Sequence, residues 1–169
     1  MEPNDGPELS DLLARIRFIL AEPVDFASTD SETTAAKVRL LSAAAAYFNV
    51  LAVADFGGRF GRPRAPGLVE QIVGAAFQSF GGYDPHADDF DRAAMLLRGV
   101  TQGHPFDDGN KRTGFLLASY YLELVGHPVP DPLPEDEVVE MCLRVSAGLI
   151  RDVSTIAGAL RRLYGHPEP

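Results

Sequence analysis

Apolar residues recur at intervals of three and four along most of this chain, which is the period of an α-helix. The first stripe predicts one amphipathic helix, and its members are Leu9, Leu12, Leu13, Ile16 and Leu20. A polar connector at residues 22–34 separates this stripe from an alanine-rich segment at residues 35–54, which predicts a second helix. The pattern therefore indicates a mostly helical chain with little strand.

Four further stripes and one continuous apolar segment predict five helices downstream. The stripes are Val69, Ile72, Val73, Ala76 and Phe80; Phe90, Ala93, Ala94 and Leu97; Val138, Met141, Cys142, Val145 and Leu149; and Ile156, Leu160 and Leu163. Residues 110–125 are apolar on nearly every face after their first turn, which is typical of a helix at the centre of a domain. We expect Gly103 to close the helix before this segment, and Ser154 and Gly165 to begin and end the last helix.

Composition mainly excludes certain classes of protein. A chain of 169 residues that is 46% hydrophobic and 23% charged fits one globular domain, residues 1–169. No uninterrupted apolar run reaches the roughly 18 residues of a membrane helix, and the first ten residues do not resemble a signal peptide. We therefore predict a cytoplasmic protein with no membrane partner. Cys142 has no second cysteine to pair with and is expected to be a small core residue.

The charge balance bears on possible partners. A formal net charge of −9 argues against nucleic acid, because phosphate backbones favour basic surfaces. One local exception places Arg59, Arg62 and Arg64 in a stretch rich in glycine and proline. A solvated loop and a contact to a phosphate or to a partner protein are both open interpretations of these arginines.

The segment HPFDDGNKRTG, residues 104–114, concentrates polar groups directly before the central apolar helix. The first turn of a helix has unpaired N–H groups and the positive end of the helix dipole, so Gly109 and Asn110 are predicted to present an anion site. Gly109 lets the backbone approach a ligand closely, and the Asn110 amide can donate to an oxygen. Lys111 and Arg112 add a point charge and a planar fork, which together suit a polyphosphate.

Neighbouring side chains complete the predicted chemistry. An acid among phosphate-binding groups needs a cation between them, so Asp108 is a candidate Mg²⁺ ligand, with Asp107 as the second candidate. His104 can accept a proton from an attacking hydroxyl at neutral pH. Pro105 and Phe106 are expected to be structural, with the Phe106 ring anchoring the loop in the core.

Two other kinds of site fit this segment poorly. A Walker phosphate loop needs a glycine five residues before Gly109, where this chain has His104. A zinc site needs a second histidine or a cysteine at ligand spacing from His104, and the segment offers neither. The residues therefore favour a base, a metal ligand and an anion cradle around one phosphorylated ligand.

HPFDDGNKR resembles the signature of the Fic/Doc family. In order, that signature has histidine, any residue, phenylalanine, any residue, an acid, glycine or alanine, asparagine, glycine or lysine, and arginine. The resemblance implies an all-helical fold with the signature on a loop and the following central helix, preceded by a small β-hairpin flap around residues 59–66. It extends over residues 55–165, so residues 1–54 are expected to be an N-terminal helical extension.

Two departures from the signature bear on the reaction. Family members that transfer AMP have glycine at the position of Lys111 and an arginine at the position of Phe115. Lysine at this position resembles the signature of the Doc branch, whose members are toxins that phosphorylate a threonine of elongation factor Tu. That resemblance implies that His104 activates the target hydroxyl, Asp108 holds Mg²⁺ and Asn110, Lys111 and Arg112 bind ATP. Transfer of AMP to a protein hydroxyl is the alternative, and a nucleotide-binding module without turnover is the third possibility.

The resemblance also bears on how the activity of the protein is inhibited. Many Fic proteins carry an inhibitory helix with serine or threonine, three residues, glutamate, and then glycine or asparagine. This chain offers only Ser28 to Glu32 followed by Thr33, where the last position does not match, so a plain helix cap is the favoured interpretation. By analogy with Doc, a toxin of this kind would be restrained by a separate antitoxin.

Overall fold

Seven α-helices make up the parts of the chain that the computed structural model describes, residues 6–56 and 63–166. They are α1 (Gly6–Leu20), α2 (Ser31–Phe56), α3 (Leu68–Ala75), α4 (Asp89–Gly103), α5 (Asn110–Leu124), α6 (Glu135–Ser146) and α7 (Val153–Leu163). Within these two ranges there is no strand, and only two isolated β-bridges occur, at Pro63–Phe106 and Phe80–Tyr83. The predicted all-helical fold is confirmed for the described residues.

Helix α5 lies at the centre of the fold, as its continuous apolar sequence predicts. It packs against α2, α4 and α6, and its longest contact is with α4. Leu117, Ala118 and Leu122 are completely buried, and Tyr121 is nearly so. The start of α5 is consequently held by helices on several sides, which makes it a rigid base for the loop that precedes it.

Helix α2 is a second core element, and its Leu40, Leu41, Ala44 and Ala45 are buried. By length and composition alone, the stretch Ser31–Ala54 could cross a membrane, since its most apolar window has a mean hydropathy of 1.3. In this fold 56% of that window is buried against the rest of the chain. A buried core helix meets the same criteria of length and composition, so the feature is weak support for a membrane span.

The start of α2 differs from the prediction, because the helix begins at Ser31 within the expected polar connector. Asp30 precedes the helix, and its Oδ1 accepts a hydrogen bond from the Thr33 N–H at 2.8 Å. Hydrogen bonds from Ser28 and Thr33 hold the pKa of Asp30 well below its ordinary value. The residues that carry the incomplete inhibitory pattern therefore lie at this helix start, where an aspartate supplies the cap.

The prediction that the third helix reaches Phe80 is wrong. Helix α3 ends at Ala75, and Phe77 remains buried in the turn that follows. Phe80 is 65% exposed and pairs with Tyr83 around Gly81 and Gly82, whose φ angles are 58° and 83°. Phe80 continues the apolar period of α3 although it is exposed, because the spacing of apolar residues does not by itself show where a helix ends.

Two further boundaries differ near the C-terminal end. Helix α6 ends at Ser146 and is followed by Gly148 at a φ of 70°, so the predicted member Leu149 lies outside it and is 74% exposed. Helix α7 is capped by Asp152 and not by Ser154, because the Asp152 carboxylate accepts the Thr155 N–H at 3.0 Å. Hydrogen bonds from Ser154 and Thr155 lower the pKa of Asp152. Ser154 thus supports the cap without forming it.

The expected role of Cys142 as a core residue is confirmed. Its thiol is buried, and burial raises its pKa to about 11, so the thiol is neutral at physiological pH. The positive charge of Lys111 acts in the opposite direction, which places that side chain within electrostatic reach of α6.

The close contact between α4 and α5 depends on Gly114, and we predict that Gly114→Ala destabilises the protein. A Cβ at this position would lie 2.7 Å from Thr101 Oγ1 and 3.0 Å from the Leu97 carbonyl oxygen. We expect a loss of about 1–3 kcal/mol in the free energy of unfolding, as for other overpacked cores, measured by urea titration. Gly74→Ala is the matched control, because its Cβ would meet nothing closer than 4.0 Å. The control should be neutral or stabilising by up to about 1 kcal/mol. Equal losses in both variants would contradict the packing argument.

Candidate functional site

The predicted signature segment forms the loop between α4 and α5. Gly103 is the last residue of α4, and the left-handed position that closes the helix falls to His104, with φ 45° and ψ 54°. His104 is the one non-glycine residue with a positive φ in the ranges that the structure describes, and its side chain is exposed. An L-residue in this conformation costs about 1–2 kcal/mol, and such strain concentrates at functional sites. The loop therefore accepts strain where it presents an imidazole to solvent.

Phe106 and Asn110 close the loop on itself. Phe106 is completely buried. The Asn110 side chain accepts a hydrogen bond from the Phe106 N–H at 3.0 Å and donates to the Phe106 carbonyl at 2.8 Å. This pair occupies the Asn110 amide oxygen and one of its two N–H groups, which leaves one N–H for a ligand. Donation from Asn110 to a phosphate stays a prediction.

Gly109 lets the loop enter α5 while touching α2. Its φ is 73°, and no side chain from the described part of the chain caps the helix start there. A Cβ on Gly109 would lie 3.1 Å from Asn49 Nδ2 and 3.3 Å from Val53 Cγ2, so glycine suits the position for both reasons. Because no side chain caps this helix, the N–H groups of its first turn and the positive end of its dipole are directed at the loop. This is the geometry in which helices bind anions.

Asp108 presents an exposed carboxylate beside this helix start. Its Oδ1 accepts the Gly109 N–H at 2.6 Å, and among the described residues no partner contacts Oδ2. The described residues contain no group of three or more metal-ligating side chains. A carboxylate with one open oxygen fits Mg²⁺, which takes most of its ligands from water and from the phosphates of a substrate. Asp108 could hold that ion in this way.

The basic residues of the signature lie on the first turn of α5. Lys111 and Arg112 are both exposed, and Arg112 follows Lys111 directly on the helix that is expected to receive a phosphate. Phe115 is buried in the core one turn later. The position at which AMP-transferring members have an additional arginine therefore faces the apolar interior in this protein.

A segment from outside the loop pairs with its backbone. The Arg64 N–H donates to the Pro105 carbonyl at 2.8 Å, next to the bridge between Pro63 and Phe106. The Arg64 side chain lies 3.4 Å from Asp107, measured from Nε to Oδ1. This pair gives Asp107 a partner that Asp108 does not share, which separates the two predicted metal-ligand candidates.

The predicted β-hairpin flap is not supported. Residues 59–62, including Arg59 and Arg62, lie outside the described residues. In the described remainder, residues 63–66, the pairing consists of one bridge to the signature loop and no hairpin. Of the three loop arginines, Arg64 thus has a described contact, and that contact is with the loop itself.

One residue at the site escaped the sequence analysis. Asn49 on α2 is completely buried, and its Nδ2 donates to the Asp108 carbonyl at 2.8 Å and to Thr113 Oγ1 at 3.1 Å. The available signal was a single amide within the apolar sequence AAAAYFNVLAVA, which is costly to bury without a partner. The partner could not be identified because it lies 59 residues further along the chain.

Comparison with known proteins shows the family of this chain. A model of the Fic/DOC family matches residues 39–122. The protein kinase doc of Escherichia phage P1 is 36% identical over 103 residues, which cover 61% of this chain and 78% of that protein. This chain belongs to the Fic/Doc family.

Two further relatives are similar over shorter stretches. A Fido domain-containing protein of Dictyostelium discoideum is 36% identical over 73 residues, which cover 42% of this chain and 51% of that protein. The toxin Doc of Mycolicibacterium smegmatis is 34% identical over 71 residues, which cover 42% of this chain and 54% of that protein. The chain spans about half the length of these two relatives.

The Fic/Doc match includes both sides of the contact around Asp108. It begins within α2 at residue 39 and ends within α5 at residue 122, so Asn49 and the signature loop both lie inside it. The predicted division after residue 54 would fall in the last turn of α2. That division stays a prediction.

The strained backbone at His104 generates a prediction about stability. His104→Gly should unfold at a higher urea concentration than His104→Ala, because glycine adopts a positive φ without strain. The expected difference is about 1 kcal/mol in the free energy of unfolding. At His86, which has no positive φ, the order should reverse, with alanine the more stable substitution. If the His104→Gly and His104→Ala variants unfold at the same urea concentration, the left-handed conformation of His104 is wrong.

Proposed function

We propose that this Fic/Doc protein is a Mg²⁺-dependent transferase that moves the γ-phosphoryl group of ATP to a serine or threonine hydroxyl of a target protein. The observation that carries the proposal is the position of an exposed histidine on a loop that leads directly into a helix start without a side-chain cap and with two basic residues. The names of two relatives, a protein kinase and a toxin, support it.

In the proposed reaction, His104 accepts the proton of the target hydroxyl while the hydroxyl oxygen bonds to the γ-phosphorus. The bond from that phosphorus to the β,γ-bridging oxygen breaks, and ADP leaves. The first-turn N–H groups of α5, together with Asn110, Lys111 and Arg112, bind the triphosphate and stabilise its charge. When bound by Asp108 and phosphate oxygens, Mg²⁺ would neutralise negative charge on the transferring and leaving groups.

Two positions favour phosphoryl transfer over AMP transfer. Lys111 stands where AMP-transferring members have glycine, so an ammonium group and its long side chain lie beside the phosphates. Phe115 stands where those members have an additional arginine, and it is buried in the core. Binding without transfer is the third hypothesis, and the retention of both His104 and Asp108 argues against it.

The proposed biological role is that of a toxin that acts in the cytoplasm on a translation factor, with elongation factor Tu as the first target to test. We propose that a separate antitoxin restrains it. Support for this role comes from the resemblance to Doc and from the relative that is named a toxin.

The reaction can be tested by incubating the purified protein with elongation factor Tu and Mg²⁺ and with ATP labelled at either the γ- or the α-phosphate. We expect label on the target protein from γ-labelled ATP alone. Label from α-labelled ATP would instead establish AMP transfer. Binding of ATP without transfer of either label would favour, for this target, the hypothesis of a nucleotide-binding module without turnover.

Variants at two histidines test the proposed base. His104→Ala should reduce label transfer at least about 100-fold, in line with the usual contribution of a general base. His86→Ala, a histidine outside the loop, should leave transfer unchanged. Circular dichroism should show that both variants are folded. Transfer that survives His104→Ala would exclude this residue as the base.

A further inference from the structure

The Asn49 amide is the contact through which α2 reaches the signature loop. Its Nδ2 lies 2.8 Å from the Asp108 carbonyl oxygen and 3.1 Å from Thr113 Oγ1. A carbonyl oxygen can only accept, so the side-chain NH₂ of Asn49 must face the loop. Asn49 therefore joins the loop residue Asp108 to Thr113 on the first turn of α5.

This contact determines the orientation of one peptide group. The Asp108 carbonyl and the Gly109 N–H belong to the same planar trans peptide, so the two groups point in opposite directions. Because Asn49 holds the carbonyl on the α2 side, the Gly109 N–H points to the other side, where it donates to Asp108 Oδ1 at 2.6 Å. An interaction at Asn49 is thus transmitted through one peptide plane to the Asp108 carboxylate.

The surroundings of Asn49 indicate that its polar group serves the loop. Asn49 is completely buried, and its Oδ1 has no hydrogen-bond partner among the residues that the structure describes. Its neighbours on the same helix, Ala52 and Val53, pack directly under Gly109. An apolar side chain of similar volume would avoid the cost of burying an unpaired amide oxygen, but it would leave the Asp108 carbonyl without its donor.

We propose that Asn49 is a positioning residue that orients the Asp108–Gly109 peptide and thereby the Asp108 carboxylate for Mg²⁺ and the nucleotide. The inference rests on the proposed function, in which Asp108 holds that ion. Asn49 acts through Asp108 and is not itself placed at the phosphates. Replacing a group that orients a metal ligand commonly weakens metal affinity or activity about 10–100-fold.

The peptide orientation can be measured without any transfer reaction. The chain has two Asp-Gly pairs, Asp5–Gly6 and Asp108–Gly109. Labelling aspartate carbonyls with ¹³C and glycine amides with ¹⁵N therefore gives two correlated NMR signals, and the first pair serves as an internal reference. In Asn49→Leu, which keeps a similar volume without the donor, the Asp108 carbonyl signal should move upfield. Exchange of the Gly109 amide should become roughly tenfold faster, the factor that one hydrogen bond of ordinary net strength supplies.

Two control variants separate this contact from general loosening of the fold. Ser42→Ala removes another buried polar group of α2, whose hydroxyl has no partner in residues 6–56 and 63–166. Both NMR signals should stay in place. Thr113→Val removes the other acceptor of Asn49 Nδ2 and should leave the Asp108 carbonyl shift near its original value. A shift of similar size in either control would overturn the proposal.

Nucleotide binding supplies the functional readout. Titration calorimetry with ATP should show an affinity about tenfold weaker for Asn49→Leu than for the unmodified protein when Mg²⁺ is present. The two affinities should differ little when EDTA replaces Mg²⁺. Equal weakening in both conditions would overturn a role through the Asp108 carboxylate.

A measurement on the unmodified protein covers the case in which Asn49→Leu does not fold. The chain has three asparagines, at positions 4, 49 and 110, so ¹⁵N-asparagine labelling gives three pairs of side-chain amide signals. The Asn49 amide protons should exchange slowly, because Nδ2 is buried and paired. Rapid exchange would overturn the proposal. Failure of label transfer in the unmodified protein would instead count against the proposed function for the target tested, while the NMR signals still report on Asn49.

Discussion

The closure of the signature loop onto Phe106 is the constraint on which the rest of the site depends. A buried aromatic ring holds the middle of the loop, and the Asn110 side chain ties both backbone groups of that residue to the first turn of α5. The interior cannot lose this ring without leaving a cavity, so the loop has one stable place on the fold. His104 and Asp108 are exposed on either side of the anchored residue. The packed core therefore fixes the positions of these two polar residues although both are exposed to solvent.

Much of the fold was predictable because helical periodicity records which residues are buried. All seven predicted helices exist in the described residues, and the central position of α5 follows from its lack of a polar face. Boundaries were predicted less well. Phe80 and Leu149 continue an apolar period beyond the helices they were assigned to, yet both side chains are exposed. Gly148, which has a positive φ, redirects the chain just before Leu149, and Gly81 and Gly82 do so just after Phe80. Apolar periodicity therefore cannot show where the backbone changes direction.

The chemistry of the site was predictable to the extent that it is local in sequence. Residues 104–112 carry the histidine, the acid, the glycine and the basic pair within one short segment, and the structure places them on one loop and one helix start. The contacts that hold this segment were not predictable, because Asn49 and Arg64 come from elsewhere in the chain. The left-handed conformation of His104 was also missed, since the preceding glycine offered an easier helix end.

The contact between α2 and the loop means that the site is built from residues far apart in the sequence. Asn49 is separated by 59 residues from the loop carbonyl that it binds and by 64 from the hydroxyl on α5. Closing so long a segment of chain costs conformational entropy before any contact forms, so the loop reaches its final geometry only when the two helices have docked. The eleven-residue motif is therefore a recognisable signature without being an autonomous unit. Transplanted alone into another protein, it would carry its reactive side chains and lose the scaffold that aligns them.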